Sequence, residues 1–218
     1  MIESAEQEAY RHVLAAIRTG RFKAGLRLIP EDIASEIGMS RMPVREALKR
    51  LANEGLVLTR PNRSCVVAGL TVDEIFEIFE IRSVLEGLAV RLAVPRLDSD
   101  AFAELDRLLD RMERSGRGSD DWVTHHREFH EYICSFSRRP KLLRQIASMH
   151  VTIEPYLRIW FHHADKPLSA REEHLVIIEA LKSGDPAHAE RVMAEHIITT
   201  APTLTDFALP ARGPSSAG

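Results

Sequence analysis

Between Pro30 and Gly55 the chain carries two apolar stripes at helical spacing with a very short break between them. The first is Ile33, Ala34 and Ile37, opened by Pro30 and ended by Gly38. The second is Val44, Ala47, Leu48 and Leu51, closed by Gly55, with Pro43 tolerated in its first turn and Ser40 placed to cap it. An earlier stripe of Ala9, Val13, Ala16 and Ile17, terminated by Gly20, predicts one more helix in front of the pair. After Gly55 the pattern changes to two β-rich runs, LVLT and CVV, around a turn containing Pro61 and Asn62. Helix, helix, turn, helix and hairpin is the order of a winged helix-turn-helix.

Beyond Leu70 the strand signals stop and helical periodicity takes over. Ile75, Ile78, Phe79, Ile81, Leu85, Leu88 and Leu92 predict a long amphipathic helix that Pro95 ends, and Phe102, Leu105, Leu108, Leu109 and Met112 predict the next. Four more are expected. They are residues 120–137, residues 140–164 with a kink at Pro155, a fifth opened by a Ser169–Glu172 capping box and ended by Gly184, and a sixth capped by Asp185 and Pro186. The predicted fold class is therefore mainly α: a winged helix-turn-helix over residues 1–68, an all-α helical bundle over 71–208, and a disordered tail at 209–218. No apolar run reaches the roughly 18 residues of a membrane helix and the first residues lack a signal-peptide pattern, so a cytoplasmic protein with no membrane partner is expected. Cys65 and Cys134 are too far apart to suggest a thiolate metal pair.

The net charge of −3 conceals an asymmetry. Residues 1–70 hold 11 Lys and Arg against 8 Asp and Glu, whereas residues 71–218 hold 18 against 24; within 40–63 the ratio is six to two. A basic patch over a helix-turn-helix suits a polyanion. On the helix after the turn, Val44, Ala47, Leu48 and Leu51 share the inward side, while Arg41 and Arg45 project together near its start, where base edges are read in the major groove. Arginine's planar fork matches guanine O6 and N7. Lys49, Arg50, Arg60 and Arg63 are then candidates for phosphate. The run IPEDIASEIGMSRMPVREALKRLANEGLV resembles the N-terminal domain of GntR-type bacterial transcription regulators. That resemblance implies a recognition helix at residues 41–53, DNA contacts from Ser40, Arg41 and Arg45, and a double-stranded operator as partner. In the wing the chain departs from relatives, with Asn62, Arg63 and Ser64 where glycine is common.

Nine of the ten histidines follow residue 120. His126 and His130 lie four apart on one helix face, His174 is in register with Ile177, Ile178 and Leu181, and His196 shares the apolar face of Val192 and Met193. Core-facing imidazoles from three helices can converge on one ion, and imidazole suits zinc, nickel, copper or iron alike. Arg82, one turn before Glu86, is placed either to meet a ligand carboxylate or to form a salt bridge within the bundle. His125, His150, His162, His163 and His188 lack this register and are read as surface or structural.

Residues 71–208 resemble the FCD ligand-binding domain of the FadR branch of the same family, in its shorter, six-helix VanR-like form. The match rests on Arg82 to Glu86, on Phe129 with His130, and on EHLVIIEALKSGDPAHAERVMAEHI, which holds His174 and His196. The resemblance implies His130, His174 and His196 as metal ligands, with His126 where relatives commonly have an aspartate. It further implies zinc as the expected ion, with nickel or manganese as alternatives, a small carboxylate effector reached by Arg82, and a homodimer. A competing reading makes the histidines the centre of a metal-dependent hydrolase. It lacks a base, because Arg127 rather than glutamate follows His126 and Glu128 lies about 200° round the helix from His126.

Overall fold

Helix α1 (Ala5–Arg18) begins where the Ser4 hydroxyl accepts from Gln7 N–H, and it buries Ala9, Val13, Ala16 and Ile17. Helix α2 (Pro30–Glu36) has Pro30 in its first turn and buries Ile33 and Ala34; helix α3 (Arg41–Asn53) buries Val44, Ala47, Leu48 and Leu51. Gly38, at φ 66°, makes the turn between them in the left-handed region that a side chain would resist. Ser40 occupies the position before α3, but its side chain makes no capping bond. A capping hydroxyl bonds the N–H two or three residues on, and the third residue, Pro43, has none, which removes one of the two donors.

The hairpin strands β2 (Val57–Thr59) and β3 (Cys65–Val67) form as expected, joined by a strand the periodicity did not announce, Arg27–Leu28. Numbered in chain order that strand is β1, and the antiparallel sheet runs β1-β3-β2, with Leu28 opposite Cys65 and Thr59 on its other side. Two residues show no alternation, so only the pairing partner makes β1 a strand.

The computed structural model describes residues 4–60, 64–115, 120–163 and 170–208. The wing-tip residues Pro61, Asn62 and Arg63, the capping serine Ser169 and the tail from residue 209 lie outside them. The chain divides into two units, Met1–Leu70 and Thr71–Gly218.

Among the described residues the second unit holds helices α4 (Val72–Ala93), α5 (Ser99–Arg114), α6 (Asp120–Ser135), α7 (Pro140–His163), α8 (Ala170–Lys182) and α9 (Pro186–Ala208), with a 3₁₀ turn at Val94–Arg96. Thr71 and Glu74 close a reciprocal capping box at the start of α4, and Asp185 accepts from Ala187 and His188 N–H at the start of α9. Helix α7 continues through Pro155. Helix α4 lies along α9 and also packs on α6 and α7, so its buried side carries Arg82 and Glu86 into the interior. Ala89, Cys134 and Ile146 fill the space between α4, α6 and α7. Both cysteines are free. Among the described residues, no helix is long and apolar enough to cross a membrane.

Close approach of α4 and α9 depends on Gly87. A Cβ there would stand 3.3 Å from the Glu190 carbonyl oxygen and 3.6 Å from Ala194 Cβ. Gly87→Ala is expected to be nearly tolerated, whereas Gly87→Val, which adds methyl groups against backbone, should cost about 1–3 kcal/mol. Chemical denaturation of the two variants measures the difference; equal midpoints would contradict the packing argument.

Candidate nucleic-acid interface and metal centre

The amphipathic division of α3 places Arg41, Arg45 and Lys49 on the exposed side, opposite the buried Val44, Ala47, Leu48 and Leu51. Ser40 is exposed and its side chain makes no capping bond, so its hydroxyl is open to an external acceptor or donor. Arg41 stands 3.7 Å from Glu31, and Lys49 donates to Glu46 at 2.7 Å. Both are exposed pairs of the kind worth at most about 1 kcal/mol, so either cation can turn to phosphate at little cost. Arg45 and Arg60 are exposed and enter no ion pair among the described residues.

Arg50 differs from the others. Its guanidinium lies 3.9 Å over the Tyr10 ring, donates to Glu54 at 3.1 Å and to Gln7 at 3.0 Å, and so ties α3 to α1. Tyr10 in turn donates to Glu54 at 2.7 Å, and burial together with that carboxylate pushes its pKa up to about 12. Arg63 lies outside the described residues.

In the second unit α6, α8 and α9 bring four histidines together. His126 and His130 come from α6, His174 from α8 and His196 from α9; one nitrogen from each lies within 4.8 Å of all the others. The rings of His126 and His130 are 4.6 Å apart, those of His174 and His196 4.8 Å, and those of His130 and His196 5.3 Å, centre to centre. Trp122 stacks on His126 at 5.0 Å.

The donor set fits a divalent transition metal. Nitrogens about 2.1 Å from an ion stand about 3.4 Å apart in a tetrahedral set and about 4.2 Å apart across an octahedral one, so the widest pair of the cluster needs to close by roughly 0.6 to 1.4 Å, within reach of small side-chain rotations. Burial, then the neighbouring imidazoles, hold His126 and His196 well below the ordinary 6.5; burial also lowers His130, against the opposing pull of Glu86. Neutral imidazoles present the lone pairs that a metal requires. His130 Nε2 is buried and has no hydrogen-bond partner, a costly condition that an ion would relieve.

Beside the cluster, Glu86 is fully buried. Its Oε1 accepts from Arg82 Nε at 2.8 Å and lies 2.8 Å from His150 Nε2, while its Oε2 lies 2.9 Å from His130 Nδ1. Burial raises this carboxyl, but Arg82, His150 and His130 together overcome that and hold it well below the usual carboxylate range. Arg82 thus forms the intrahelical salt bridge, and it also lines a cavity shared with His126, Arg127 and His150 and walled by Val123 and Ile153. The open space is about 10 Å³, room for one water-sized group.

His150 is the buried neighbour of the site that the sequence reading left among surface or structural histidines. It is 4% exposed and faces Glu86 from α7, yet it is out of register with the four clustered histidines. Only the packing of α7 against α4 brings it in.

Residues 5–67 match the family description "Bacterial regulatory proteins, gntR family", and residues 77–199 match "FCD domain". The HTH-type transcriptional regulator McbR of Escherichia coli is 32% identical over 181 residues, 81% of this chain and 81% of that protein. The chain belongs to the GntR family. Another relative, the probable D-xylose utilization operon transcriptional repressor of Paenarthrobacter nicotinovorans, is 31% identical over 193 residues, covering 87% of this chain and 84% of that protein. Among solved structures, "E. coli McbR/YncC" superposes with a TM-score of 0.78 at 28% identity over 94% of this chain and 99% of that one. The GntR chain is accordingly a DNA-binding transcription regulator of the GntR/FCD type and not an enzyme; the hydrolase reading finds no support among these relatives.

The histidine environment sets a pH dependence. In the unfolded chain the imidazoles take up protons near 6.5, while in the bundle His126, His130 and His196 resist protonation to lower pH. The unfolded state then binds more protons, so stability falls as pH falls below about 6.5. Metal-stripped protein should show a lower thermal midpoint at pH 5.5 than at pH 7. A flat profile over that interval would count against neutral, buried imidazoles. The Glu86 contribution is lost in a separate, more acidic window, below its ordinary value of 4.5.

Proposed function

We propose that this regulator reads an inverted-repeat operator as a homodimer in the cytoplasm, and that a divalent transition metal held by His126, His130, His174 and His196 receives a small carboxylate effector. The observation that carries the metal reading is the convergence of four imidazoles around the partnerless, buried Nε2 of His130. Zinc is the expected ion, with nickel or manganese as alternatives. When bound, the ion supplies positive charge and open positions for carboxylate oxygens. An all-imidazole set brings no negative charge of its own, which favours an anionic ligand. Arg82 and Arg127 on the cavity wall add to that preference, and Val123 and Ile153 suit an effector with a short apolar part. Because the space is so small, effector binding must move side chains, and that movement is the source of any regulation: a differential affinity of about 1–3 kcal/mol between two arrangements gives a 5- to 150-fold change in operator affinity.

The DNA reading assigns base contacts to Arg41 and Arg45 and phosphate contacts to Ser40, Lys49, Arg60 and Arg63, with Arg50 acting mainly as the tie between α1 and α3. Two copies are needed for a symmetric operator. The exposed apolar residues Ile81, Val84 and Leu88, which follow one another along α4, support a second copy packing there.

Elemental analysis should find one transition metal per chain. Cobalt or nickel titrated into metal-stripped protein should quench the fluorescence of Trp122, which stacks on His126. Protein that refuses zinc, nickel and manganese would remove the metal from the reading.

On a duplex selected from a random pool, Arg45→Ala is expected to lose about 1–3 kcal/mol of discrimination against a scrambled duplex. Arg60→Ala should weaken both equally and reduce the salt dependence by about one unit. Equal losses on the two duplexes for Arg45→Ala would remove its base-reading role.

A further inference from the structure

We infer that Glu86 is a positioning residue of the metal centre, selecting which nitrogen of His130 faces the ion; the inference rests on the metal reading above. The two oxygens of this carboxylate do different work. Oε1 takes the Arg82 and His150 side, at 2.8 Å from each. That pairing alone would satisfy Arg82, and it would explain a buried glutamate as an ordinary intrahelical ion pair. It leaves Oε2 unaccounted for, and Oε2 lies 2.9 Å from His130 Nδ1, on a different helix.

An ionised carboxylate can only accept. His130 Nδ1 must therefore carry the proton, and the lone pair of this imidazole is confined to Nε2. Nε2 is the nitrogen that is buried without a hydrogen-bond partner in the midst of the other three histidines. One contact thus decides both the tautomer and the aim of the ring, and it makes Nε2 a better donor by drawing the Nδ1 proton toward a negative charge.

Arg82 makes the arrangement tenable. A fully buried carboxylate would otherwise tend to protonate, and a protonated Glu86 could offer His130 a hydrogen instead of an acceptor, reversing the tautomer. Helix α4 contributes no ligand to the cluster, but through Glu86 it touches His130 on α6 and His150 on α7. The four imidazoles include no anion, and Glu86 brings its negative charge to them from α4 through His130.

Two measurements on the full chain test this. Zinc affinity is read by competition with a chromophoric chelator for the unsubstituted protein, Glu86→Gln, His130→Ala and the double variant. Glu86→Gln is expected to weaken zinc binding about 10- to 100-fold. In the His130→Ala background the same substitution should cost nothing further, because its effect passes through that imidazole. A purely structural role would weaken both backgrounds alike. Zinc bound equally by Glu86→Gln and the unsubstituted protein, or equal losses in the two backgrounds, overturns the inference.

The second measurement does not depend on any variant folding. Nitrogen-15 NMR of histidine-labelled, zinc-loaded protein should show His130 protonated at Nδ1 and bound at Nε2; metal on Nδ1 overturns the inference. Failure of the underlying reading is distinct, since unsubstituted protein would then take up no zinc at all.

Discussion

The second unit is organised around the cost of burying charge. Glu86 is fully enclosed and Arg82 nearly so, and taking either out of water alone would cost several kcal/mol. They are tolerable because they face each other at 2.8 Å and because both oxygens of the carboxylate find further partners on other helices. Those partners are histidines, and the direction each ring takes follows from the carboxylate. Helices α4, α6 and α7 are thus connected by polar contacts as well as by the apolar packing of Ala89, Cys134 and Ile146. Apolar packing tolerates small rotations of a helix; a three-partner carboxylate does not, since each contact holds only near 2.8–2.9 Å.

The same logic of divided surfaces governs α3. One side is spent on the core through Val44, Ala47, Leu48 and Leu51, which leaves Arg41, Arg45 and Lys49 facing water. Electrostatics then separates the basic residues further. Arg41 and Lys49 are held by single exposed pairs, while Arg50 is held by a ring, a carboxylate and an amide together. A net local charge counts all of them equally; the geometry distinguishes those that can move to a phosphate from the one that holds two helices together.

Periodicity is a strong signal where a helix has one wet and one dry side, and this explains what was legible. The three helices of the first unit, the six of the second and the register of His126, His130, His174 and His196 all follow from it, and the arginines of α3 are visible as the complement of an apolar stripe. Failures occur where the deciding partner is distant in sequence or where two local rules collide. Strand β1 is two residues long and exists through its pairing with β3. Ser40 has the right identity and position for a cap, but Pro43 removes one of the two donors it could use and no capping bond forms.

What the sequence by itself determined is therefore the order of elements, the mainly α class, the basic side of α3 and the shared register of His126, His130, His174 and His196 with apolar stripes, because each depends on spacing within a single helix. Only the tertiary structure decided that the four imidazoles share one small volume, that His150 joins Glu86, and that Arg82 is already paired while still lining the cavity. Those facts depend on how α4, α6, α7, α8 and α9 pack together, and the distances between residues tens of positions apart are set by that packing. A helical period states which way a side chain faces; it carries no information about what stands opposite.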